Sequence, residues 1–263
     1  MIPGQFIHKG MEVLERPVMT IPVLVNGAKG RMGQEAVKAV KAETDLELVA
    51  ATDIEDSLDD AIRRTGAAVV IDFTQPSSAI RNTETILRCG ARPVVGTTGF
   101  DPPSIRRLQE LALELRLGGL IAPNFAIGAV LLMKFAADAA RYLPEVEIIE
   151  LHHDQKIDAP SGTAIKTAEL IAERRGVFRP VGRQEESIPG VRGGRCQGIN
   201  IHSVRLPGLV AHQEVLFGGL GQTLTIRHDS LARSSFMPGV VLAVRKAPTL
   251  DRLYYGLEKI LDL

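Results

Sequence analysis

The chain alternates short apolar runs with segments of helical periodicity from Ile21 to Phe125. This alternation is typical of a parallel β-sheet, because parallel strands need long crossover connections and cannot be joined by tight hairpins. It constrains the fold more than any other feature, and it predicts an α/β half with a doubly wound, Rossmann-like parallel sheet. The predicted strands are IPVLVN (21–26), LELVAATD (46–53), AAVVIDFT (67–74), PVVGTTGF (93–100, strand and loop) and LIAPNF (120–125), and the predicted helices cover 32–41, 77–89 (capped by Ser77 or Ser78) and 104–117.

The pattern changes after Phe125. The segment 126–143 is apolar almost all round but is interrupted by Lys134, Asp138 and Arg141, so we interpret it as a buried helix rather than a membrane span. Strand-like runs then dominate and are separated by glycine-bearing turns, which predicts a second, α+β domain with a mixed or antiparallel sheet. The predicted elements are a strand at 146–154, a helix at 162–174, a Gly- and Arg-rich loop at 176–198, the runs GINIHSVRLPG, AHQEVLFGG and QTLTIRHDS, and helical segments MPGVVLAVRKA and DRLYYGLEKILDL.

These patterns divide the chain into parts. We expect an N-terminal extension at 1–20, a nucleotide-binding domain at 21–126 that is completed by 236–263, and a second domain at 127–235. Residues 1–20 contain two prolines and lack an uninterrupted apolar run, so they are predicted to be neither a secretory signal nor a membrane anchor.

Composition argues against two classes of partner. Lysine plus arginine equal aspartate plus glutamate at 31 each, so no excess charge favours nucleic acid or an anionic membrane. Cys89 and Cys196 lie far apart without a Cys-x-x-Cys spacing, which argues against a disulfide framework and a thiolate metal site. A reducing cytoplasm is the expected location.

The loop VLVNGAKGRMG lies between the first predicted strand and helix. Its glycines, Gly27, Gly30 and Gly33, would stand where a dinucleotide pyrophosphate meets a helix N-terminus. Their G-x-x-G-x-x-G spacing departs from G-x-G-x-x-G, but Asp53 ends the next strand, where a carboxylate would bind the adenosine ribose. The alternative is a tight turn with Asp53 capping the next element.

The coenzyme class is open between NADH and NADPH. Asp53 would repel a 2′-phosphate, whereas Lys29 and Arg31 could attract one. GTTGF (96–100) and APNF (122–125) fall at the C-terminal ends of the fourth and fifth predicted strands, where doubly wound sheets bind ligands. Their backbone groups could hold the nicotinamide; the alternative is that both are ordinary loops.

The segment ELHHDQKIDAPSGTA (150–164) is dense in titratable groups. His152 can exchange a proton near neutral pH, and Lys156 can donate a proton or hold an anion. In the PSGT turn, Ser161 is a good N-cap, so Gly162 and Thr163 would present N–H groups and a hydroxyl to a carboxylate. A polar loop with satisfied side chains is the alternative interpretation.

A metal site is not predicted there. His152, His153 and Asp154 are possible ligands, but adjacent residues rarely chelate one tetrahedral ion, and no spaced cluster completes them.

Several motifs together resemble the 4-hydroxy-tetrahydrodipicolinate reductase family, also called dihydrodipicolinate reductase, of the diaminopimelate route to lysine. The resemblance covers nearly the whole chain after Thr20, and the HH-x-x-K-x-DAPSGTA string is highly specific. It implies an NAD(P)H-dependent enzyme that converts 4-hydroxy-tetrahydrodipicolinate, with loss of water, to tetrahydrodipicolinate. The motifs are GAKGRMG, GTTGF, APNF, ELHHDQKIDAPSGTA, IHSVRLPG and RSSFMPG.

The resemblance also implies roles for individual residues. His152 and Lys156 would be the catalytic pair, His153 would contact substrate, and Gly162 with Thr163 would bind a carboxylate. In the hypothesis that follows, Lys156 and the helix N-terminus neutralise the dianionic substrate, hydride reaches ring C4, and either His152 or Lys156 protonates the product enamine. The implied cofactor residues are Gly27, Ala28, Lys29, Gly30, Arg31, Met32, Asp53, Gly96, Thr97, Thr98, Ala122, Pro123, Asn124 and Phe125.

Larger-scale features follow from the same resemblance. It implies a homotetramer assembled through the sheet of the second domain, and domain closure about hinges at 125–128 and 235–239. The chain departs from the family in its N-terminal extension and in the acidic sequence Asp53-Ile54-Glu55, which leaves NADPH use to Lys29 and Arg31.

Two other functions stay open at this level. The first is another two-domain NAD(P)-dependent dehydrogenase that acts on an amino or imino acid. The second is a non-catalytic NAD(P)H sensor; the HHDQK and PSGT segments argue against it, because a sensor has no use for a proton donor beside an anion site.

Overall fold

The computed structural model describes residues 20–176 and 185–261. Eleven strands and seven α-helices lie within these ranges. The strands are β1 (Ile21–Asn26), β2 (Leu46–Thr52), β3 (Val69–Asp72), β4 (Arg92–Val95), β5 (Gly119–Ile121), β6 (Glu145–His152), β7 (Gly194–Cys196), β8 (Ile199–Arg205), β9 (Ala211–Gly219), β10 (Gln222–Ser230) and β11 (Leu253–Tyr255). The helices are α1 (Arg31–Ala42), α2 (Leu58–Thr65), α3 (Pro76–Arg88), α4 (Pro102–Glu114), α5 (Ile127–Ala139), α6 (Gly162–Arg174) and α7 (Met237–Lys246).

Six strands form the first sheet in the order β11-β5-β4-β3-β1-β2, and all neighbours are parallel. The order reverses between β1 and β3, because the chain runs outward to β2 and then crosses back to the other side of β1. Such a switch point leaves a crevice beyond the carboxyl ends of the two strands, where ligands bind in doubly wound sheets. The predicted Rossmann-like sheet is confirmed.

Both faces of this sheet are buried, which explains its unbroken apolar strands. Val23 and Val25 of β1 belong to the large core cluster, whereas Leu24 between them belongs to a separate cluster with helix α2. The period of two thus sends alternate side chains into two hydrophobic layers. Full burial of each such side chain contributes roughly 1.5–3 kcal/mol.

Five strands form the second sheet in the order β10-β9-β6-β8-β7. Strands β6 and β8 are parallel and the remaining neighbours antiparallel, so the sheet is mixed, as predicted. Helices α5 and α6 pack against each other, and both contact strands of this sheet. The apolar helix predicted at 126–143 is α5, and the described residues from α5 to β10 form an α+β unit.

Some predicted elements differ from the structure. The segment 251–263 was expected to be helical, but β11 pairs there in parallel with β5 and a 3₁₀ helix follows at Leu257–Lys259. The helical interpretation was wrong because three strand residues are too few for an alternation to be visible. Helix α3 begins at Pro76 with Gln75 as its N-cap, so the predicted cap at Ser77 or Ser78 was also wrong. Proline suits the first helical position, because the backbone N–H that it lacks would have no acceptor within the helix.

The structure also adds elements. Helix α2 was not predicted, and β7 lies in the segment interpreted as a loop at 176–198. Residues 177–184 of that loop, and 1–19 of the predicted extension, lie outside the described residues. The predicted helix near 237–247 is α7, which contacts α1, β3 and β4 of the first sheet. No helix in the described ranges is long and apolar enough to cross a membrane.

Candidate active site

The glycine loop sits at the carboxyl end of β1 under close backbone contact. Gly27 has φ +79°, and a Cβ there would lie 2.6 Å from the Phe73 carbonyl oxygen. A Cβ on Gly33 would lie 2.0 Å from the Gly27 carbonyl oxygen. Both positions therefore need glycine to keep the turn between β1 and α1 tight. Gly30 is the N-cap of α1, so the loop delivers the helix N-terminus to the crevice.

Asp53 follows β2 and faces the same loop. Its carboxylate accepts hydrogen bonds from the backbone N–H of Lys29 at 2.8 Å and of Ile54 at 2.9 Å. These bonds, from Ile54 first and then Lys29, lower the pKa of Asp53 below its ordinary value, so the group is ionised at neutral pH. The Lys29 ammonium is exposed and pairs with Glu55 at 3.2 Å, which raises the Lys29 pKa.

These residues fit a bound dinucleotide. The glycines leave room that a Cβ would fill, the α1 N-terminus favours a pyrophosphate, and Asp53 offers a carboxylate to a ribose. Residues 96–98, the GTT loop, lie beside the glycine loop. A Cβ on Gly96 would lie 2.0 Å from the ring of Phe73.

We expect Gly33→Ala to weaken NADH binding by roughly tenfold or more, because relieving the contact with the Gly27 carbonyl must displace the loop at a cost of about 1–3 kcal/mol. Fluorescence titration of NADH measures the effect. Gly176→Ala is the control, since a Cβ there meets nothing within 4 Å. Equal affinities for both variants would show that the tight turn does not shape the nucleotide site.

A buried carboxylate that the sequence analysis did not select anchors the floor of this crevice. Asp72, at the end of β3, has no exposed surface and accepts hydrogen bonds from Asn26 (2.8 Å), Asn82 (2.9 Å) and Thr97 (3.0 Å). Asn26 in turn accepts from the Thr52 hydroxyl. Asp72 thereby joins β1, β2, α3 and the GTT loop. Its position at the end of a buried strand was the signal that could have identified it.

The APNF loop (122–125) follows β5 and lies next to Phe73, which also borders the glycine loop. Ala122 and Phe125 are buried, and the rings of Phe125 and Phe73 meet edge to face at a centroid distance of 6.0 Å. Asn124 turns the chain into α5, since its side-chain oxygen accepts from the Ala126 N–H at 2.8 Å.

In the second sheet, Glu150 of β6 organises the histidine end of the strand. Its fully buried carboxylate accepts from Arg205 at 2.8 and 2.9 Å and from the Ser161 N–H at 3.3 Å, and contacts His152 Nδ1 at 2.5 Å. With a carboxylate as partner, we assign the proton to Nδ1, which leaves Nε2 as the free ring nitrogen. Burial raises the pKa of Glu150, but hydrogen bonds from His152 and Arg205 outweigh it and lower the pKa from 4.5 to about 2.

The lowered pKa of Glu150 predicts acid sensitivity. The folded pKa lies below the unfolded value, so Glu150 contributes stability above about pH 4.5 that is lost as the pH falls toward about 2. The shift corresponds to a contribution on the order of 3 kcal/mol. Urea unfolding at several pH values should show this loss in the native protein but not in Glu150→Gln. Parallel pH profiles for the two proteins would contradict it.

The PSGT turn is a helix N-terminus, as predicted. Ser161 caps α6 by accepting from the Ala164 N–H at 3.2 Å. Gly162 and Thr163 occupy the first turn, where N–H groups have no acceptor within the helix. Asn124 Nδ2 donates to the Thr163 hydroxyl at 3.3 Å, so the APNF loop and the α6 N-terminus are in contact.

Lys156 and His153 lie in the loop that joins β6 to α6. The Lys156 side chain is 20% exposed, and its ammonium donates to both carboxylate oxygens of Asp158 at 2.7 and 2.8 Å. That bond from Lys156 lowers the pKa of Asp158. His153 follows the last residue of β6, and its carbonyl accepts from the Lys156 N–H at 3.2 Å.

A cleft between the two halves is lined by only part of the predicted catalytic and substrate-binding residues. It has about 300 Å³ of empty space, partly open to solvent, and is lined by Asn124, His152 and Thr163 from the predicted set. His153, Lys156 and Gly162 are not among its lining residues, although Gly162 and Thr163 line an adjoining cavity with Asn124. The cleft is also lined by Ser161, which the sequence analysis named only as an N-cap, and by four residues that it did not select: His212, Gln213, His228 and Ser230.

Metal ligands are not grouped in the described part of the chain. Among residues 20–176 and 185–261, no cluster of three or more His, Cys, Asp or Glu side chains is placed to hold a metal ion.

Known proteins are similar to this chain in both sequence and fold. Residues 21–125 match the family described as dihydrodipicolinate reductase, N-terminus, and residues 128–261 match its C-terminus. A 4-hydroxy-tetrahydrodipicolinate reductase from Listeria welshimeri is 53% identical over 261 residues, covering 91% of this chain and 99% of that one. One from Desulfitobacterium hafniense is 48% identical and covers 92% and 99%.

A solved structure supports the same assignment. The dipicolinate-bound dihydrodipicolinate reductase from Paenisporosarcina sp. TG-14 is 44% identical, with a TM-score of 0.85 over 92% of this chain and all of that one. The two matched halves span almost all the residues from Ile21 onward, in the same order as the two sheets. The chain therefore belongs to the dihydrodipicolinate reductase family of NAD(P)H-dependent oxidoreductases.

Proposed function

We propose that the chain reduces 4-hydroxy-tetrahydrodipicolinate, with loss of water, to tetrahydrodipicolinate, the reduction step of the diaminopimelate route to lysine. One observation carries the proposal beyond family membership: Asn124 of the nucleotide half touches Thr163 of the α6 N-terminus at 3.3 Å, in a cleft that His152 also lines. A coenzyme beside the APNF loop would thus face a carboxylate site across a short gap.

The chain's own groups suit a dianionic substrate. The α6 N-terminus presents the N–H groups of Gly162 and Thr163, and Lys156 adds a cation. Asp158 holds the Lys156 ammonium in place, and a substrate carboxylate would compete with Asp158 for it. Water must leave first, as the C4 hydroxyl together with a proton from the neighbouring ring carbon, so that C4 becomes the end of a conjugated imine. When bound, reduced nicotinamide would supply the hydride that adds at this carbon and leaves an enamine.

A proton must then reach the neighbouring ring carbon. His152 can deliver it after its Nε2, which is left free because Glu150 holds Nδ1, has taken up a proton from solvent. Lys156 is the other group able to deliver it. We assign the cofactor role to the glycine loop, Asp53, the GTT loop and the APNF loop, and substrate contact to His153, Gly162 and Thr163.

We expect Asp53→Ala to raise the KM for NADH by about tenfold and to change the KM for NADPH much less, since only NADH offers the 2′-hydroxyl that Asp53 accepts from. Steady-state assays with each coenzyme measure the two values. Asp60→Ala, an exposed carboxylate on α2, is the control. An equal rise for both coenzymes would show that Asp53 does not discriminate between them.

Assembly and location are further proposals. The outer strand β10 is largely exposed along its length. Two leucines are exposed on this surface: Leu224 within the strand and Leu220 just before it. A homotetramer formed through the second sheet would cover this surface. The cytoplasm suits an enzyme whose two cysteines, Cys89 and Cys196, are both free thiols.

Coupled turnover tests the proposed function. Substrate generated in situ from pyruvate and aspartate semialdehyde should cause oxidation of NADH or NADPH by the purified protein. Oxidation that depends on this substrate supports the reaction. Binding of both coenzymes without oxidation would overturn it and would favour another imino acid or a sensor role.

A further inference from the structure

Two residues that line the cleft each have a buried polar atom without a hydrogen-bond partner among the described residues. Gln213 Oε1 and Ser230 Oγ have no hydrogen-bond partner among the described residues, although the two side chains are only 5% and 1% exposed. Both residues line the cleft together with His152 and Thr163. An unpaired buried polar atom costs about 1–3 kcal/mol, so atoms at such positions are suited to a ligand that satisfies them.

The hydrogen bonds around Gln213 determine which atom of its side-chain amide is left without a partner. The Thr167 hydroxyl donates to the Thr163 carbonyl at 2.7 Å, so its oxygen can only accept from Gln213. The amide nitrogen of Gln213 therefore points to Thr167 at 2.7 Å, and the amide oxygen is left as a pure acceptor. This chain of bonds also ties Gln213 to the first turn of α6.

Two imidazoles that line the cleft beside this pair, those of His212 and His228, are uncharged. Val210 N–H donates to His212 Nε2 at 3.2 Å, so His212 carries its proton on Nδ1, which contacts Asp229 at 2.6 Å. Burial lowers the pKa of His228, whose ring also lines the cleft. An acceptor oxygen, a hydroxyl and uncharged imidazoles do not suit a carboxylate, which the α6 N-terminus and Lys156 serve better. They suit a hydroxyl group that donates a hydrogen bond.

We propose that Gln213 and Ser230 form a hydroxyl-binding subsite that takes the C4 hydroxyl of the substrate, or the water that it becomes. This inference rests on the proposed function. In it, Gln213 Oε1 accepts from the hydroxyl and Ser230 Oγ exchanges a hydrogen bond with it, while the two carboxylates lie at the cationic end of the site. The pair thereby distinguishes the hydroxylated ring from flat analogues such as dipicolinate, which lack that group.

Steady-state kinetics with Ser230→Ala test the subsite. We expect the KM for the hydroxylated substrate to rise roughly three- to tenfold, the effect of one lost hydrogen bond, while the Ki of dipicolinate stays within about twofold. Gln213→Met should give the same selective change and serves where Ser230→Ala does not fold. Glu173→Ala, an exposed site near the C-terminal end of α6, is the control and should change neither constant.

Other outcomes overturn the subsite. A KM and a Ki that rise together would show a general loss of cleft shape. Unchanged constants in both variants, with a normal rate for the native protein, would show that the pair holds only solvent. A native protein that binds dipicolinate but does not oxidise NAD(P)H with the hydroxylated substrate would instead overturn the proposed function, and the assignment of the ligand with it.

Discussion

Replacing Lys156 with methionine should lower kcat by roughly two to four orders of magnitude, the usual effect of losing a proton donor or a charge that stabilises the transition state. Methionine keeps the length and apolar stem of the side chain and removes only the ammonium. NADH oxidation with substrate generated in situ measures kcat and KM separately. Coenzyme affinity should not change, because Lys156 lies in the β6–α6 loop, outside the nucleotide crevice.

The matched control is Lys41→Met on α1. Lys41 is exposed in the last turn of that helix, at the end away from the glycine loop, so its loss should leave kcat unchanged. A KM that rises strongly with kcat preserved would assign Lys156 to binding alone. If kcat and KM of Lys156→Met both matched those of the native protein, the role of this lysine would be wrong.

Glu150→Gln should destabilise the fold by about 3–5 kcal/mol, because the substitution removes one charge from a buried ion pair and leaves Arg205 without a counter-charge. Glutamine fills the same volume, so no cavity contributes to the loss. The Arg205 side chain is 19% exposed, so solvent replaces little of the lost interaction. Urea unfolding at neutral pH measures the difference.

Strand β6 itself supplies the control. Glu147 also has an arginine and a histidine as partners, Arg192 and His202, but its side chain is 34% exposed. Glu147→Gln should therefore cost only about 0–1 kcal/mol. Equal losses for the two variants would show that burial does not set the strength of the Glu150 network. Glu150→Gln should also reduce kcat, since His152 loses the partner that orients its ring.

The parts of the site that could be predicted are those that are contiguous in sequence. The glycine loop and Asp53 follow adjacent strands, and the residues from His152 to Thr163 run from the end of β6, through one loop, to the first turn of α6. A strand, a helix start and the spacing between them suffice to predict such groups.

The remaining site residues depend on register. His152 lies opposite Arg205 of β8, Glu150 opposite Gln213 of β9, and Ser230 of β10 opposite Ala211 of β9. Strand pairing over such separations is set by packing of the whole sheet, and a shift of one residue would turn each side chain to the other face. Local patterns in the sequence do not determine the pairing register of distant strands, so these partners could not be predicted.

The return of β11 to the first sheet has a consequence for synthesis. Strand β11 pairs with β5, yet more than a hundred residues separate them, and α7 packs on the same sheet. The coenzyme-binding sheet therefore gains this edge strand only when residues 253–255 leave the ribosome, after the whole second sheet has emerged. A chain that stops short of Leu253 would lose its edge strand in the half that was synthesised first.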